Sequence, residues 1–159
     1  MYKRQTTTRV LTVDIEAYYT GNGPASNKLT IMLLQDNIMG TQSSGSTYPA
    51  MWNGSQYRHM HALRDVITAG SSGQPMGATI ATTLYTTTVS YTVPTAYLNI
   101  PVVFTNLTLL AFVSDANGKN TNNVCKIPIT STATSVNELA NSVNNVYVFP
   151  NPAVSNTTV

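Results

Sequence analysis

Hydrophobic and polar residues alternate along several short segments of this chain. In residues 8–19 (TRVLTVDIEAYY), Leu11, Val13 and Ile15 fall on one side of an extended backbone, and polar residues fall on the other. This pattern predicts a strand with one buried face. Residues 28–36 (KLTIMLLQD) are apolar on both faces, which predicts a strand in the middle of a sheet. The turn-forming segment between the two strands, rich in Gly, Asn and Pro, predicts that they form an antiparallel hairpin.

The same alternation continues in the second half of the chain. Residues 107–115 (LTLLAFVSD) predict a second buried strand, and residues 123–130 (NVCKIPIT) predict its partner. The Asn117-Gly118 pair between them is typical of a two-residue hairpin, in which both central residues need positive φ.

The segment of residues 57–68 (YRHMHALRDVIT) fits both the helical and the extended period, and we expect extended structure at its start and a turn near Arg64. About seven to nine short strands, with turn signals between them and no long helix, predict an all-β fold, namely an immunoglobulin-like antiparallel β-sandwich. A length of 159 residues is enough for one such domain. We expect the sandwich in residues 7–130, after a linker or expression remnant at residues 1–6.

Charge and cysteine content exclude several classes of protein. Only 9% of the residues are charged, the formal net charge is +2, and the basic residues never form a run. We therefore expect no nucleic acid and no charged membrane surface as partners. The single cysteine, Cys125, excludes an internal disulfide, and it alternates with Ile127 and Ile129 as a core residue does. No apolar segment approaches the roughly 20 residues of a transmembrane helix.

The two histidines are the candidates for a metal site. In an extended strand His59 and His61 point to the same side, and with a third or fourth ligand such as Asp36 or Asp65 they would bind zinc or copper. The alternative, which we favour, is a hydrogen-bonded pair that supports the following turn through Arg64 and Asp65. No Ser or Thr has a recognisable partnership with a base, so we predict no cofactor and no enzymatic activity.

The long polar stretch of residues 37–56 contains aromatic side chains near glycines and amides. Loops longer than about 12–15 residues in compact domains are commonly functional or disordered. Tyr48 and Trp52, with Tyr57 just beyond the stretch, are residue types that stack on sugar rings or anchor protein interfaces. They are the candidate binding residues, and the alternative is that Trp52 only closes the end of the sandwich.

The last part of the chain differs in composition from the predicted sandwich. Residues 131–145 are a Ser/Thr/Asn-rich linker, and residues 146–159 (VYVFPNPAVSNTTV) follow it. A hydrophobic strand followed by Pro150, Asn151 and Pro152 resembles the opening of the C-terminal sorting domain of the type IX (Por) secretion system. The resemblance implies that the type IX machinery exports the protein, which is then attached to the surface or released. It also implies that residues 146–159 are only the truncated start of that domain.

Several short blocks in the body of the chain occur in a recognisable order and spacing. They are LTIMLLQDNIMGTQ (residues 29–42), YRHMHALRDVIT (57–68), GQPMG (73–77) and NLTLLAFVSDANGKNTNNVCKIPI (106–129). In these blocks the chain resembles the 28-kilodalton outer-membrane-protein-related family. Similar proteins often place a thioredoxin-like domain before this sandwich, and this sequence contains no Cys-x-x-Cys.

Together these features predict a non-catalytic accessory or interaction module of a secreted or surface-attached bacterial outer-membrane-related protein. Its expected location is the outer membrane surface or the extracellular space, and its expected partner is a protein or a glycan. One alternative is a carbohydrate-binding module that uses the aromatic loop. Another is part of a redox protein whose thioredoxin-like domain lies outside this sequence.

Overall fold

The fold is that of a computed structural model, which describes residues 2–5, 9–23, 26–68, 70, 73–77, 79–117 and 119–129. Short antiparallel strands make up almost all of the regular structure in these residues. The strands are β1 (Tyr2–Gln5), β2 (Val10–Tyr19), β3 (Lys28–Gln35), β4 (Ile38–Gly40), β5 (Trp52–Asn53), β6 (Gln56–His59), β7 (Ala62–Val66), β8 (Gln74–Pro75), β9 (Thr83–Thr92), β10 (Ala96–Tyr97), β11 (Ile100–Pro101), β12 (Leu107–Ser114) and β13 (Thr121–Pro128), and two 3₁₀ turns lie at Gly45–Thr47 and Phe104–Asn106.

The first sheet has the strand order β1-β2-β9. β9 pairs with β2 along the whole length of β2. β1 covers only the first part of β2, where Tyr2 lies opposite Val13 and Gln5 lies opposite Val10. Residues 1–6 were expected to lie outside the sandwich, but Tyr2–Gln5 pair with β2 as an edge strand of this sheet.

The second sheet has the strand order β13-β12-β3-β7, with β8 paired to the start of β3. β3 has neighbours on both sides, which confirms the predicted central strand. The predicted hairpin of β12 and β13 is also confirmed, but its connection, residues 115–120, is longer than the expected two-residue turn. The Asp115 carboxylate organises this connection by accepting hydrogen bonds from the Lys119 backbone N–H (2.9 Å) and the Asn120 side chain (2.8 Å).

The predicted hairpin of β2 and β3 is wrong, because these two strands lie in different sheets. The segment between them crosses from one sheet to the other. Asn27, at the end of the crossing, is buried, and its side-chain amide donates a hydrogen bond to the Tyr19 hydroxyl (3.2 Å). The hydrophobic pattern reports which face of a strand is buried. It does not distinguish a neighbour in the same sheet from one in the facing sheet, since both arrangements bury the same residues.

The two sheets face each other across one hydrophobic core. Leu11 of β2, Ile31 and Leu33 of β3, and Leu107 of β12 are at most 1% exposed. Burial of each such side chain contributes on the order of 1.5–3 kcal/mol. The predicted all-β sandwich is therefore confirmed, with sheets of three and five strands. Its immunoglobulin-like character stays a prediction.

Residues 57–68 form parts of two strands rather than one. β6 ends at His59, and β7 begins at Ala62 after a turn in which His61 adopts φ 53°. The Asp36 carboxylate holds this turn by accepting the His61 backbone N–H at 2.5 Å. The expected turn near Arg64 is therefore wrong, because Arg64 lies inside β7.

The two lateral sides of the sandwich differ. On what we call the tyrosine side, β7 and β9 face each other, and the Tyr91 hydroxyl of β9 donates a hydrogen bond to Asp65 Oδ2 of β7. On the cleft side, β13 faces β2, and a narrow cleft that is open to solvent lies between them. The walls of this cleft are mainly apolar and include Ile15, Ala17, Ala111, Cys125 and Ile127.

The predicted linker (residues 131–145) and sorting segment (residues 146–159, with Pro150, Asn151 and Pro152) lie outside the described residues. Both assignments stay predictions. In the part of the chain that the structure does describe, no helix is long and apolar enough to span a membrane.

Candidate functional site

The long polar stretch that was expected to be a loop contains a small sheet of its own. β4, β6 and β5 lie side by side in that order, and a turn at Gly54 joins β5 to β6. Gly54 adopts φ 63°, a left-handed conformation that glycine reaches at little steric cost. We call β4, β5, β6 and the connecting residues 41–51 the aromatic sheet.

The aromatic sheet brings together all three predicted binding residues. Trp52 and Tyr57 lie directly opposite each other on paired strands. Tyr48 packs edge-on against Tyr57, with 6.5 Å between the ring centroids and an interplanar angle of 83°. The His59 ring lies 5.1 Å from Tyr57, which extends the row of rings. Aromatic pairs of this geometry contribute about 0.5–1.5 kcal/mol beyond their buried area, so the row has a defined shape.

Gly45 positions the Trp52 indole. Gly45 is buried, and a Cβ atom built on it would lie 2.6 Å from Trp52 Cζ3, closer than two carbon atoms can approach. The indole therefore packs against the bare glycine backbone. Gly45, and the contact of His59 with the row, could not be anticipated from the sequence, because both depend on strand register and on the 3₁₀ turn. The only feature of the sequence that marks Gly45 is its position within the serine-rich run SSGS (residues 43–46).

The three candidate side chains differ in exposure. Tyr48 is 61% exposed, whereas Trp52 and Tyr57 are half-buried. A rigid aromatic ring loses little conformational entropy when a partner covers it, because it has only two rotatable side-chain angles. Tyr48 is therefore the accessible ring of the row, and Tyr57 packs against it.

The two histidines lie in different surroundings. His59 packs within the aromatic sheet, while His61 lies in the turn beyond it, close to Asp36 and Lys126. Asp36 does approach His61 as the metal hypothesis requires, with 3.9 Å between its Oδ1 and the ring Nδ1. However, the Lys126 Nζ lies 2.8 Å from His61 Nε2. An ammonium group can only donate hydrogen bonds, so Nε2 accepts one here and is not directed at a metal ion.

The other expected partners of the histidines also lie elsewhere. Asp65 accepts a hydrogen bond from the Tyr91 hydroxyl of the facing sheet. Arg64 donates a hydrogen bond to the Ile100 carbonyl oxygen (2.8 Å). His61 does support a turn, but through Asp36 rather than through Arg64 and Asp65. Among the residues that the structure describes, no group of three or more His, Cys, Asp or Glu side chains is placed to hold a metal ion.

A polar cluster on the tyrosine side was not predicted. Tyr91 donates a hydrogen bond to Asp65, and the Tyr97 hydroxyl, 2.6 Å from that of Tyr91, donates to Tyr91. The Arg64 guanidinium lies 4.8 Å from the centroid of the Tyr97 ring. Burial, and then the hydrogen bond that Tyr91 donates to Asp65, raise the pKa of Tyr91 well above its ordinary value of 10.0. Burial also raises the pKa of Tyr97. Both phenols therefore remain neutral donors at physiological pH, and the cluster joins the two sheets.

Cys125 lies in the wall of the apolar cleft, on the same face of β13 as Ile127, as the alternation predicted. Burial raises the pKa of its thiol. A raised pKa lowers the thiolate fraction at neutral pH, and the thiolate is the nucleophilic form. Cys125 points inward as predicted, but it is only half-buried and lines the cleft rather than the core.

Comparisons with known proteins identify relatives of this fold. The model of a family described as "Outer membrane protein Omp28" matches residues 3–133. A crystal structure of a domain of the outer membrane lipoprotein Omp28 from Porphyromonas gingivalis has 17% sequence identity and a TM-score of 0.49, and the match covers 79% of this chain and 81% of that chain. No curated protein matches the chain. Because the family model spans both main sheets and the aromatic sheet, the chain belongs to the outer membrane protein Omp28 family.

Proposed function

We propose that this chain is a non-catalytic interaction module of an exported outer-membrane-related protein, and that the aromatic sheet contacts its partner. The observation that carries the proposal is the row of rings, in which the largely exposed Tyr48 rests on the half-buried Tyr57 beside Trp52. Large aromatic side chains dominate the binding energy of many protein interfaces. Membership of an outer membrane protein family supports a location in the cell envelope, where such a partner would be found.

A photo-crosslinking residue at position 48 tests this proposal in the native cell. We expect a photoreactive phenylalanine analogue in place of Tyr48 to give discrete crosslinked products, because the side chain would lie within the interface. The matched control is position 18, where Tyr18 is 36% exposed on the first sheet rather than on the aromatic sheet. Similar products from both positions, or no product from position 48, would contradict the proposal.

The grouping of Tyr48, Trp52 and Tyr57 also favours a second candidate, a carbohydrate-binding module in which a sugar ring stacks on these rings. Trp52 is the single tryptophan of the chain, so tryptophan fluorescence reports on this sheet alone. Titration with bacterial and host polysaccharides should change the emission, and Tyr48→Ala should weaken the affinity about tenfold, equivalent to about 1.4 kcal/mol. Tyr18→Ala should leave it unchanged. A wild-type signal that responds to no polysaccharide eliminates this candidate.

We infer further that the parent protein is exported through the type IX machinery. The support is in the sequence, where Pro150, Asn151 and Pro152 follow a hydrophobic segment after a polar linker. The test compares the native full-length protein in cells with and without a working type IX system. We expect added protease to digest it on intact cells only when the system works, and digestion in both strains would rule out this route.

A further inference from the structure

We propose that the hairpin formed by β10 and β11 contacts a lipid surface, with the Leu98 side chain at its tip inserted among the apolar parts of the lipids. The hairpin follows β9 at the end of the first sheet where Val10 pairs with Thr92. The proposal combines the exposure of the tip, its backbone conformation and the way in which the sandwich anchors it. It does not depend on the function of the aromatic sheet.

The first observation is the exposure of Leu98. Tyr97 of β10 pairs with Ile100 of β11, so Leu98 and Asn99 are the two residues of the turn. Leu98 is 96% exposed, more than any other large hydrophobic side chain that the structure describes. Ile100 and Val103, which follow it in the chain, are also exposed. Single exposed apolar residues are common on protein surfaces, so the conformation at this position decides its meaning.

The second observation is the backbone conformation of the turn. Leu98 and Asn99 adopt φ 48° and 65°, as a two-residue hairpin turn of type I′ requires at both positions. Asn and Gly enter this left-handed region readily, whereas the Cβ of a leucine lies too close to the following carbonyl oxygen. Leu98 is therefore unfavourable both for its backbone conformation and for its exposure to water. A residue that breaks two local rules at one position points to a role outside the fold.

The third observation is that side chains of the second sheet hold the hairpin in place. Arg64 Nη2 donates a hydrogen bond to the Ile100 carbonyl oxygen (2.8 Å), and Gln35 Nε2 donates one to the Pro101 carbonyl oxygen (3.2 Å). The Tyr97 hydroxyl belongs to the hydrogen-bonded tyrosine cluster. The two turn residues are thus presented on a fixed base. A tip that is already fixed loses little conformational entropy when it makes a contact.

The composition of the hairpin favours lipid rather than protein as its occupant. Residues 93–107 (VPTAYLNIPVVFTNL) contain no charged side chain. The hot spots of protein interfaces are enriched in Trp, Tyr and Arg, and leucine is under-represented among them. The hydrophobic effect is not directional, so fluid hydrocarbon accepts an aliphatic side chain in any orientation. Tyr97 adjoins the tip, and tyrosine is enriched at the boundary between lipid and water.

The size of the tip determines how strong the contact is. A few aliphatic side chains bind a bilayer only weakly and reversibly, because the strength of binding follows the apolar area that is buried. We therefore expect the hairpin to orient a protein that is already held at a lipid surface, rather than to recruit it from solution. Because the tip carries no charge, anionic lipid is not required.

The test holds the full chain at zwitterionic phosphatidylcholine vesicles, through a histidine tag added after Val159 and a nickel-chelating lipid. Leu98→Cys, with Cys125 replaced by Ala, carries an environment-sensitive nitrobenzoxadiazole label. We expect vesicles to shift its emission to shorter wavelength and to raise its intensity about twofold, since the label would leave water. Quenchers in the lipid acyl chains should reduce the emission. The same label at Ile80→Cys should show neither effect.

Two exposed aliphatic residues provide a matched pair of variants. Ile80 is 59% exposed and lies at the other end of the first sheet from Leu98, close to the pairing of Thr83 with Tyr19. With the label at Val103→Cys, Leu98→Asn should abolish the shift and Ile80→Asn should preserve it. Leu98→Asn should also leave the melting temperature equal or higher, because Asn tolerates positive φ. A lower melting temperature would assign Leu98 a structural role instead.

Several results would overturn the proposal. One is that vesicles leave the label at position 98 unchanged, or shift the label at position 80 equally. Another is that the emission of the label at position 98 shifts with protein concentration in the absence of vesicles, which would assign the tip to a second copy. A third is that a photoreactive residue at position 98 gives discrete crosslinked proteins in native cells and no crosslinked lipid, which would assign the tip to a protein partner.

Discussion

The two lateral sides of this sandwich are closed by different kinds of interaction. On the tyrosine side, hydrogen bonds among Asp65, Tyr91 and Tyr97 connect β7 of one sheet to β9 of the other. On the cleft side, apolar walls on β2 and β13 face each other across open space. Both sides share the same core, so the difference between them reflects the side chains at the edges rather than the fold.

The comparison shows what each kind of interaction specifies. A buried hydrogen-bond partner left without its mate costs about 1–3 kcal/mol, so the tyrosine cluster holds the sheets in one arrangement. Apolar burial has no preferred direction, so the cleft can accept different side chains provided that they are apolar and fit. The tyrosine side thus specifies one arrangement of the two sheets, whereas the cleft side does not.

The largest expected effect on stability comes from replacing a core leucine by alanine, once near the tyrosine side and once near the cleft side. Leu33 is fully buried and lies opposite Asp65 in the sheet, whereas Leu109 is 4% exposed and borders the cleft. Leu33→Ala should lower the free energy of unfolding by about 3–5 kcal/mol, and Leu109→Ala by about 2–3 kcal/mol, because Leu109 already has fewer neighbours on its cleft side. Urea denaturation measures both. An equal or larger cost for Leu109 would contradict the description of the cleft as open space.

The next effect comes from removing one hydroxyl on the tyrosine side. Tyr91→Phe leaves Asp65 and Tyr97 without their shared partner and should lower the free energy of unfolding by about 1–3 kcal/mol. Tyr85→Phe on the same strand is the control, because its hydroxyl accepts only a long hydrogen bond from Gln74 (3.4 Å). We expect the control to cost less than about 1 kcal/mol. Equal losses for the two variants in thermal or urea unfolding would show that the cluster does not close this side.

Alkaline pH should weaken the tyrosine side selectively. The pKa of Tyr91 is raised above its ordinary value of 10.0, so above pH 10.0 the unfolded chain loses this proton while the folded chain keeps it. The stability due to Tyr91 is therefore complete below pH 10.0 and declines above it, by at most about 1.4 kcal/mol for each pH unit. Urea unfolding from pH 8 to 11 should show a shallower decline for Tyr91→Phe than for wild type. Parallel curves for the two proteins would contradict the assignment.

The smallest expected effect comes from filling the cleft. Ala111→Val adds two methyl groups in the cleft wall and should raise the free energy of unfolding by about 0.5–1 kcal/mol. Val93→Ile adds a methylene at a fully buried position, and it should instead be destabilising by about 1–3 kcal/mol. Thermal unfolding distinguishes the two signs. If Ala111→Val is as destabilising as Val93→Ile, the cleft is packed rather than open.

Strands and their buried faces could be predicted from the sequence, because alternation is a local property of the chain. The alternation that starts at Leu11 correctly places Val13 and Ala17 in the core, and that of β13 correctly turns Cys125 inward. Strand pairing could not be predicted in the same way. β2 pairs with β9 rather than with β3, the next strand along the chain, and no local pattern distinguishes these two possibilities.

The candidate binding residues were predicted from residue type alone, since Tyr and Trp in a polar stretch are unusual enough to be noticed. That Tyr48, Trp52 and Tyr57 meet in one row follows from the pairing of β5 with β6, and so does the contact with His59. The expected partnership of His61 with Arg64 and Asp65 was wrong, because it placed His59 and His61 in one extended strand, whereas β6 ends at His59 and His61 lies in the turn before β7.

By itself, the sequence determined that this protein is built from short strands and which of their faces are apolar. Only the tertiary structure decided which strands share a sheet and how the two lateral sides are closed. The physical reason is distance along the chain. Asp65 and Tyr91 are 26 positions apart, and their hydrogen bond forms only once two sheets face each other. A local pattern carries no record of that contact.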